Sequence, residues 1–235
     1  MHRAFSKWLL GLSLGWLLVG VYGCAGQKAT EGWSFWPFGN AKSDHVDGLV
    51  SPPERIAAIR KAAKEAASAG TDQQERVARE LAGSLSQETD PVIRLEIIRA
   101  IGKSQTPTSS FILREALKDS DAEVRVAACK AWGSRRGPEA SGVLGEVLLS
   151  DIELDVRLAA ARAIGQTGDR GAVAALAKAL DDRNPAVQFY AVDSLRKVSG
   201  QDYGNDLDKW RQYAKGETPA PNPPPSLAER FRGLF

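Results

Sequence analysis

A stretch at residues 119–133, DSDAEVRVAACKAWG, returns at 151–165 as DIELDVRLAAARAIG. The Arg of this stretch belongs to a column formed by Arg94, Arg125, Arg157 and Gln188, spaced 31, 32 and 31 residues apart. The same period holds at independent positions: Gly102, Gly133, Gly165 and then Arg196; Leu85, Leu117, Leu148 and Leu180; Leu81, Leu113, Leu144 and Leu176. Four columns agree over four copies, and the departures fall only in the last copy. Each unit is too small to bury its own apolar face. The period therefore predicts an array in which neighbouring units cover one another.

Within each unit the apolar spacing is helical and is divided between two short helices. The first, helix A, carries Leu at i and i+4, as in Leu113 with Leu117 and Leu176 with Leu180, which gives one apolar face. The second, helix B, starts at Asp90-Pro91, Asp121 and Asn184-Pro185, where a side-chain acceptor precedes the first helical residue and Pro takes N1 without losing a hydrogen bond. Gly-containing stretches at 102–107 and 165–171 read as its end. Apolar residues at 97/98/101, 128/129/132 and 160/161/164 give each B helix a buried side.

The D-x-D-x-x-V-R-x-x-A pattern, with a two-helix period just above 30, resembles the HEAT-like repeat of the type also found in phycobiliprotein lyases and many bacterial scaffold proteins. The match covers residues 72–197. It implies an all-α fold: a right-handed α-solenoid of about four two-helix repeats with capping helices. Pro53–Ala67, with Ile56 and Ile59, and Tyr203–Ala214, with Leu207 and Trp210, are the expected caps.

An acid stands six residues before each member of the Arg column: Glu88/Arg94, Asp119/Arg125, Asp151/Arg157 and Asp182/Gln188. The resemblance implies that the acid lies in the turn between A and B, the Arg early in B, and that pairs from adjacent repeats form a ladder. Turn N–H donors and a planar guanidinium fork both suit a carboxylate. A catalytic pair would single out one copy, whereas the first three are alike, so the pairs read as structural. Gln188 stands in the last copy, where no further carboxylate follows.

No residues are assigned to catalysis or to a metal. The only histidines are His2 and His45, outside the repeats, which removes most routes to a metal site or a His-based triad. No phosphate-binding Gly loop follows a strand pattern. Cys129 aligns with Ile98, Ala161 and Val192 and reads as a small core hydrophobe. Some HEAT-like enzymes hold iron with His-Glu pairs, which this chain lacks. Basic and acidic residues nearly balance, 31 against 29, so no broad positive field invites nucleic acid. No cofactor, nucleic acid or small-molecule substrate is expected.

Binding of a protein or peptide is the expected role. On the B helices Arg99, Lys130 and Arg162 share a column that Asp193 breaks, and Leu95, Val126, Leu158 and Phe189 lie four residues earlier. A basic row beside an apolar row suits an acidic-amphipathic peptide or a partner helix; alternatively the Leu95 row is partly core and the charges are solvated. A lyase-like or chaperone-like accessory and a structural envelope component without a ligand remain the competing roles.

The two ends carry an address and a tail. Residues 1–23 read as an export signal: His2, Arg3 and Lys7 precede an apolar run from Trp8 to Leu18. VYGC at 21–24 resembles a bacterial lipobox, with Val21 and Gly23 in the matching places and Tyr22 between them. This resemblance implies lipidation of Cys24 and an extracytoplasmic, membrane-anchored lipoprotein of the cell envelope. The alternatives are an uncleaved anchor helix and a released soluble protein. Residues 24–50 read as a tether interrupted by Trp33, Phe35, Trp36 and Phe38 around Pro37, which either enter the bilayer interface or dock onto the repeat domain at 51–216. A Pro-rich linker at 217–225 leads to an amphipathic segment at 226–235 with Leu227, Phe231, Leu234 and Phe235 on one side. A segment this short orders only against a membrane, a partner or the solenoid.

Overall fold

A computed structural model of the chain describes residues 50–220. The expected signal, Cys24, the aromatic tether and the segment at 226–235 lie outside the described residues. Ten α-helices follow one another: α1 (Pro52–Ala67), α2 (Thr71–Gln87), α3 (Pro91–Ile101), α4 (Pro107–Ala116), α5 (Ala122–Gly133), α6 (Gly137–Ser150), α7 (Leu154–Thr167), α8 (Val173–Ala179), α9 (Pro185–Ser199) and α10 (Leu207–Ala214). There is no strand among the described residues.

Three of the B helices start with the expected chemistry, whereas Glu153 before α7 makes no side-chain cap hydrogen bond. Asp90 accepts from the Val92 N–H, Asp121 from Glu123 and Val124, and Asn184 from Ala186, each satisfying a donor that the first helical turn leaves free. Pro91 and Pro185 occupy the opening positions. The second cap is shorter than its sequence pattern suggests, because Asp206 caps α10 and leaves Tyr203 in the preceding loop. Tyr203 is buried there, edge-on to Trp210 with ring centres 5.0 Å apart.

Helices α1, α3, α5, α7 and α9 pack in succession as one layer; the even-numbered helices form the other. The solenoid is thus four complete repeats flanked by a lone B helix, α1, and a lone A helix, α10. The core lies between the layers. Leu81, Leu113, Leu144 and Leu176 are all buried from the A side, facing Ile97, Ala128, Ala160 and Ala191 from the B side. Cys129 shares its column with Ile98, Ala161 and Val192, all buried.

The Gly-containing stretches at 102–107 and 165–171 hold the ends of α3 and α7 as expected, but the glycines of the column do not supply a left-handed cap. Gly102 has right-handed backbone, Gly133 is the last residue of α5, and Gly165 lies inside α7, which closes at Gly168 with φ 69°. The column exists because consecutive B helices touch there. A Cβ on Gly102 would stand 2.8 Å from the Ala131 Cβ, and one on Gly133 2.9 Å from the Ala163 Cβ. In the last copy Arg196 replaces the glycine, and no further B helix follows α9. Its guanidinium bonds Asp202 at 3.0 Å.

One junction differs from the others. Helices α4 and α6 pack more loosely than their A-layer neighbours, and Arg135, in the loop before α6, reaches back to the start of α4. It donates to Ser110 Oγ, the Ser104 carbonyl and Ser109 Oγ at 2.6–2.7 Å. The next residue, Arg136, has φ 57° and ψ 164°, a region essentially reserved for glycine. Arg136→Gly is expected to raise the unfolding free energy by about 1 kcal/mol through release of this strain, read as a higher urea midpoint. An unchanged or lower midpoint would show that the turn stores none.

Candidate protein-binding face

The acid and Arg columns meet across repeats. Arg94 forks onto Asp119 at 2.9 and 2.8 Å, Arg125 onto Asp151 at 2.8 and 3.0 Å, and Arg157 onto Asp182 at 3.0 and 3.5 Å. Each carboxylate also closes its own turn, accepting from the backbone N–H two residues on: Asp121, Glu153 and Asn184 at 2.8–2.9 Å. The remaining Arg nitrogen returns to its own turn, as when Arg125 donates to the Asp119 carbonyl at 2.8 Å. Gln188 keeps only this last contact, donating to the Asp182 carbonyl at 2.8 Å.

The ladder has a rung that the column reading did not include: Arg55 of α1 pairs with Glu88. Its signal was present, because Ser51-Pro52-x-x-Arg55 echoes Asp90-Pro91-x-x-Arg94 and Asn184-Pro185-x-x-Gln188. Arg55 lacked only the acid six residues earlier. Four Arg–carboxylate pairs in series, from Arg55–Glu88 to Arg157–Asp182, therefore set the height of each B helix against the next. That registration presents the exposed side of the B layer as a regular surface.

On that surface the basic row, Arg99, Lys130 and Arg162, is exposed. The apolar row is uneven. Leu95 and Leu158 are half-buried, Phe189 is 55% exposed, and Val126 only 8%. Val126 is a floor residue, because α3 and α7 approach α5 at the glycine contacts and a short side chain does not reach above them. Two open grooves result. One, of about 350 Å³ between α3 and α5, is lined by Arg99, Val126, Lys130 and Glu123. The other, of about 450 Å³ between α5 and α7, is lined by Val126, Lys130, Leu158 and Arg162 with Glu123 and Asp155.

Leu95 and Phe189 line neither groove. Leu95 packs against the core, and Phe189 stands edge-on to Tyr190 with ring centres 5.3 Å apart. Tyr190 in turn carries the Arg162 guanidinium 3.8 Å above its ring, a cation–π contact that fixes the direction of the fork. The acidic rim was missed by the sequence reading. Glu123 and Asp155 each stand two residues before the Arg column, but Val92 and Ala186 take that place in the first and last copies.

The interior holds no reactive thiol. Burial pushes the Cys129 thiol up to about 12, so it stays protonated and packs as a hydrophobe. Among the described residues no group of His, Cys, Asp or Glu is arranged to hold a metal ion, and no helix is long and apolar enough to cross a membrane.

Several carboxylates titrate below their usual range. The Asp90 N–H is the largest influence on Glu88, against burial and with Arg55 helping; Arg60 does the same for Glu96. Burial raises Asp119, but the Arg94 fork and the Asp121 N–H outweigh it. A carboxylate depressed in the folded state contributes stability that is fully present above its unfolded pKa and lost as pH falls through the folded one. The melting temperature should therefore hold from pH 7 to about 5 and fall below about pH 4, where free carboxylates begin to protonate. Asp119→Asn should flatten the acid limb; an equal slope in that variant would remove Asp119 as a cause.

The family model of HEAT repeats matches residues 78–154 and 143–211. No curated protein matches the chain. Among solved structures, human deoxyhypusine hydroxylase in complex with glycerol is 22% identical, with 53% of this chain and 44% of that one covered and a TM-score of 0.48. The chain thus spans less than half of the hydroxylase. A designed armadillo repeat protein in complex with the peptide (KR)4 is 21% identical over 70% of this chain and 84% of that one, TM-score 0.43. An engineered protein is 21% identical over 72% and 82%, TM-score 0.45. At these identities the likeness concerns the fold.

Proposed function

The chain belongs to the HEAT-repeat family, and from that premise we propose that it is a non-enzymatic scaffold that holds a protein or peptide partner along its B-helix face. In the same reading it is a lipoprotein of the cell envelope, tethered through lipidated Cys24. The observation that carries the binding role is the pair of consecutive grooves across α3, α5 and α7, floored by Val126 and Leu158 and edged by Arg99, Lys130 and Arg162. A solenoid with this surface offers a long, shallow contact rather than an enclosed reaction chamber.

The test is capture from the membrane fraction. Proteins recovered with the parent chain should be lost with Lys130→Glu/Arg162→Glu and retained with Lys178→Glu/Arg183→Glu, a reversal of equal charge at exposed residues elsewhere. Recovery of the same proteins with both variants would remove the B face from consideration. For the tether, Cys24→Ser should move the chain out of the membrane fraction, since the acyl chains on that residue supply the hold, and two or more of them are needed for a stable one. Its persistence there would favour an uncleaved anchor helix.

A further inference from the structure

We propose that the segment bound on this face lies in an extended polyproline-type conformation and carries an acidic residue at every third position. The inference rests on the binding role given above and adds the conformation and chemistry of what is bound.

Three rows cross the B helices side by side. On α5 the exposed side reads Glu123, Val126, Lys130, at i, i+3 and i+7; on α7 it reads Asp155, Leu158, Arg162. These positions lie on one side of a helix. Acid, apolar floor and base therefore repeat in the same order on consecutive helices, and Arg99 extends the basic row onto α3. The fork of Arg162 is already oriented by its stacking on Tyr190.

The distance between rungs decides which backbone fits. Packed helices stand roughly 8–10 Å apart, and the B helices touch through glycine. A β-strand presents the same side every second residue, about 6.6–6.8 Å, which is too short. An α-helix returns to nearly the same side after seven residues, about 10.5 Å, which is too long. A polyproline helix has three residues per turn and rises about 3.1 Å per residue, so every third side chain recurs at about 9.3 Å. That value falls within the spacing. Its three sides also match three rows: one side meets the basic row, the next rests on Val126 and Leu158, and the third turns toward the acidic rim or solvent. Charge complementarity along Arg99, Lys130 and Arg162 assigns the acid to the first of these sides.

Two fluorescein-labelled peptides of identical composition distinguish the spacings: (Glu-Pro-Leu)4, and an isomer with its four glutamates at alternating positions. In fluorescence polarisation with the full-length protein, the triplet peptide should bind at least about tenfold more tightly, a difference well above measurement error. Its affinity should fall with added salt, as expected of exposed charge contacts, and should be lost in Lys130→Glu/Arg162→Glu. Both residues are exposed, so the variant should remain folded, its melting temperature lower by only a few degrees for the lost Arg162–Tyr190 stack. Equal binding of the two peptides, no binding of either, or unchanged binding to the variant would each overturn the inference. If the triplet peptide fails while the variant still loses its captured proteins, the face binds in another form. If capture is also unaffected, the proposed function fails with it.

Discussion

Trp132→Ala should lower the unfolding free energy by about 3–5 kcal/mol, the range for emptying a large aromatic site in a packed core. Trp132 is 1% exposed and is among the largest fully buried side chains of the described residues. It occupies the column of Ile101 and Ile164, between the two layers, at the junction where α4 and α6 pack loosely. The guanidinium groups of Arg114 and Arg135 stand 5.8 and 5.4 Å from its ring centre. Truncation therefore leaves a cavity and also removes the surface over which the half-buried Arg135 lies. Trp132→Phe should cost markedly less, since the indole N–H has no hydrogen-bond partner to lose. Because repeat arrays transmit stability mainly between neighbours, hydrogen exchange should quicken first in α4, α5 and α6, and least in α10. A loss below about 1 kcal/mol in denaturant, or uniform loss of protection, would show that this junction is not held by the ring.

The repeated parts of this molecule were legible in its sequence for a physical reason: each core column is subject to the same packing in every copy. The Leu columns, the capping Asp and Asn residues, and the all-helical solenoid follow from that redundancy. The reason for glycine at Gly133 is not legible in that way, because the absent side chain is what lets α5 approach Ala163 of α7. That requirement belongs to a neighbour about 30 residues away and leaves no local trace. Glu123 and Asp155 do not announce themselves because two copies do not make a column, and the depth of Val126 is not legible because periodicity gives a direction without a depth. The strained backbone at Arg136 is a property of one turn and has no repeat to announce it.

The ladder's central rung tests whether these pairs specify register or merely decorate it. Asp151→Ala should destabilise the fold by about 3–5 kcal/mol, as expected when one member of a buried, hydrogen-bonded ion pair is removed. The Arg125 and Asp151 side chains are 11% and 10% exposed. Without the carboxylate, Nε and Nη2 of Arg125 lose their acceptors at 2.8 and 3.0 Å, and only Nη1 keeps its turn carbonyls. The Glu153 N–H also loses the acceptor that closes the turn into α7. Adding Arg125→Met should recover part of the loss, because no charge then remains buried; the two changes are coupled and should not add. Arg157→Gln should be milder, since glutamine at the equivalent place in the last repeat already holds the turn carbonyl. By contrast, Arg211 reaches Asp181 at an exposed site, and Arg211→Ala should cost less than about 1 kcal/mol. If Asp151→Ala proves as mild as Arg211→Ala, solvent reaches the rung and the B helices are registered by apolar packing alone; if the Arg125→Met/Asp151→Ala pair is as costly as the sum of its singles, the two side chains act independently of each other.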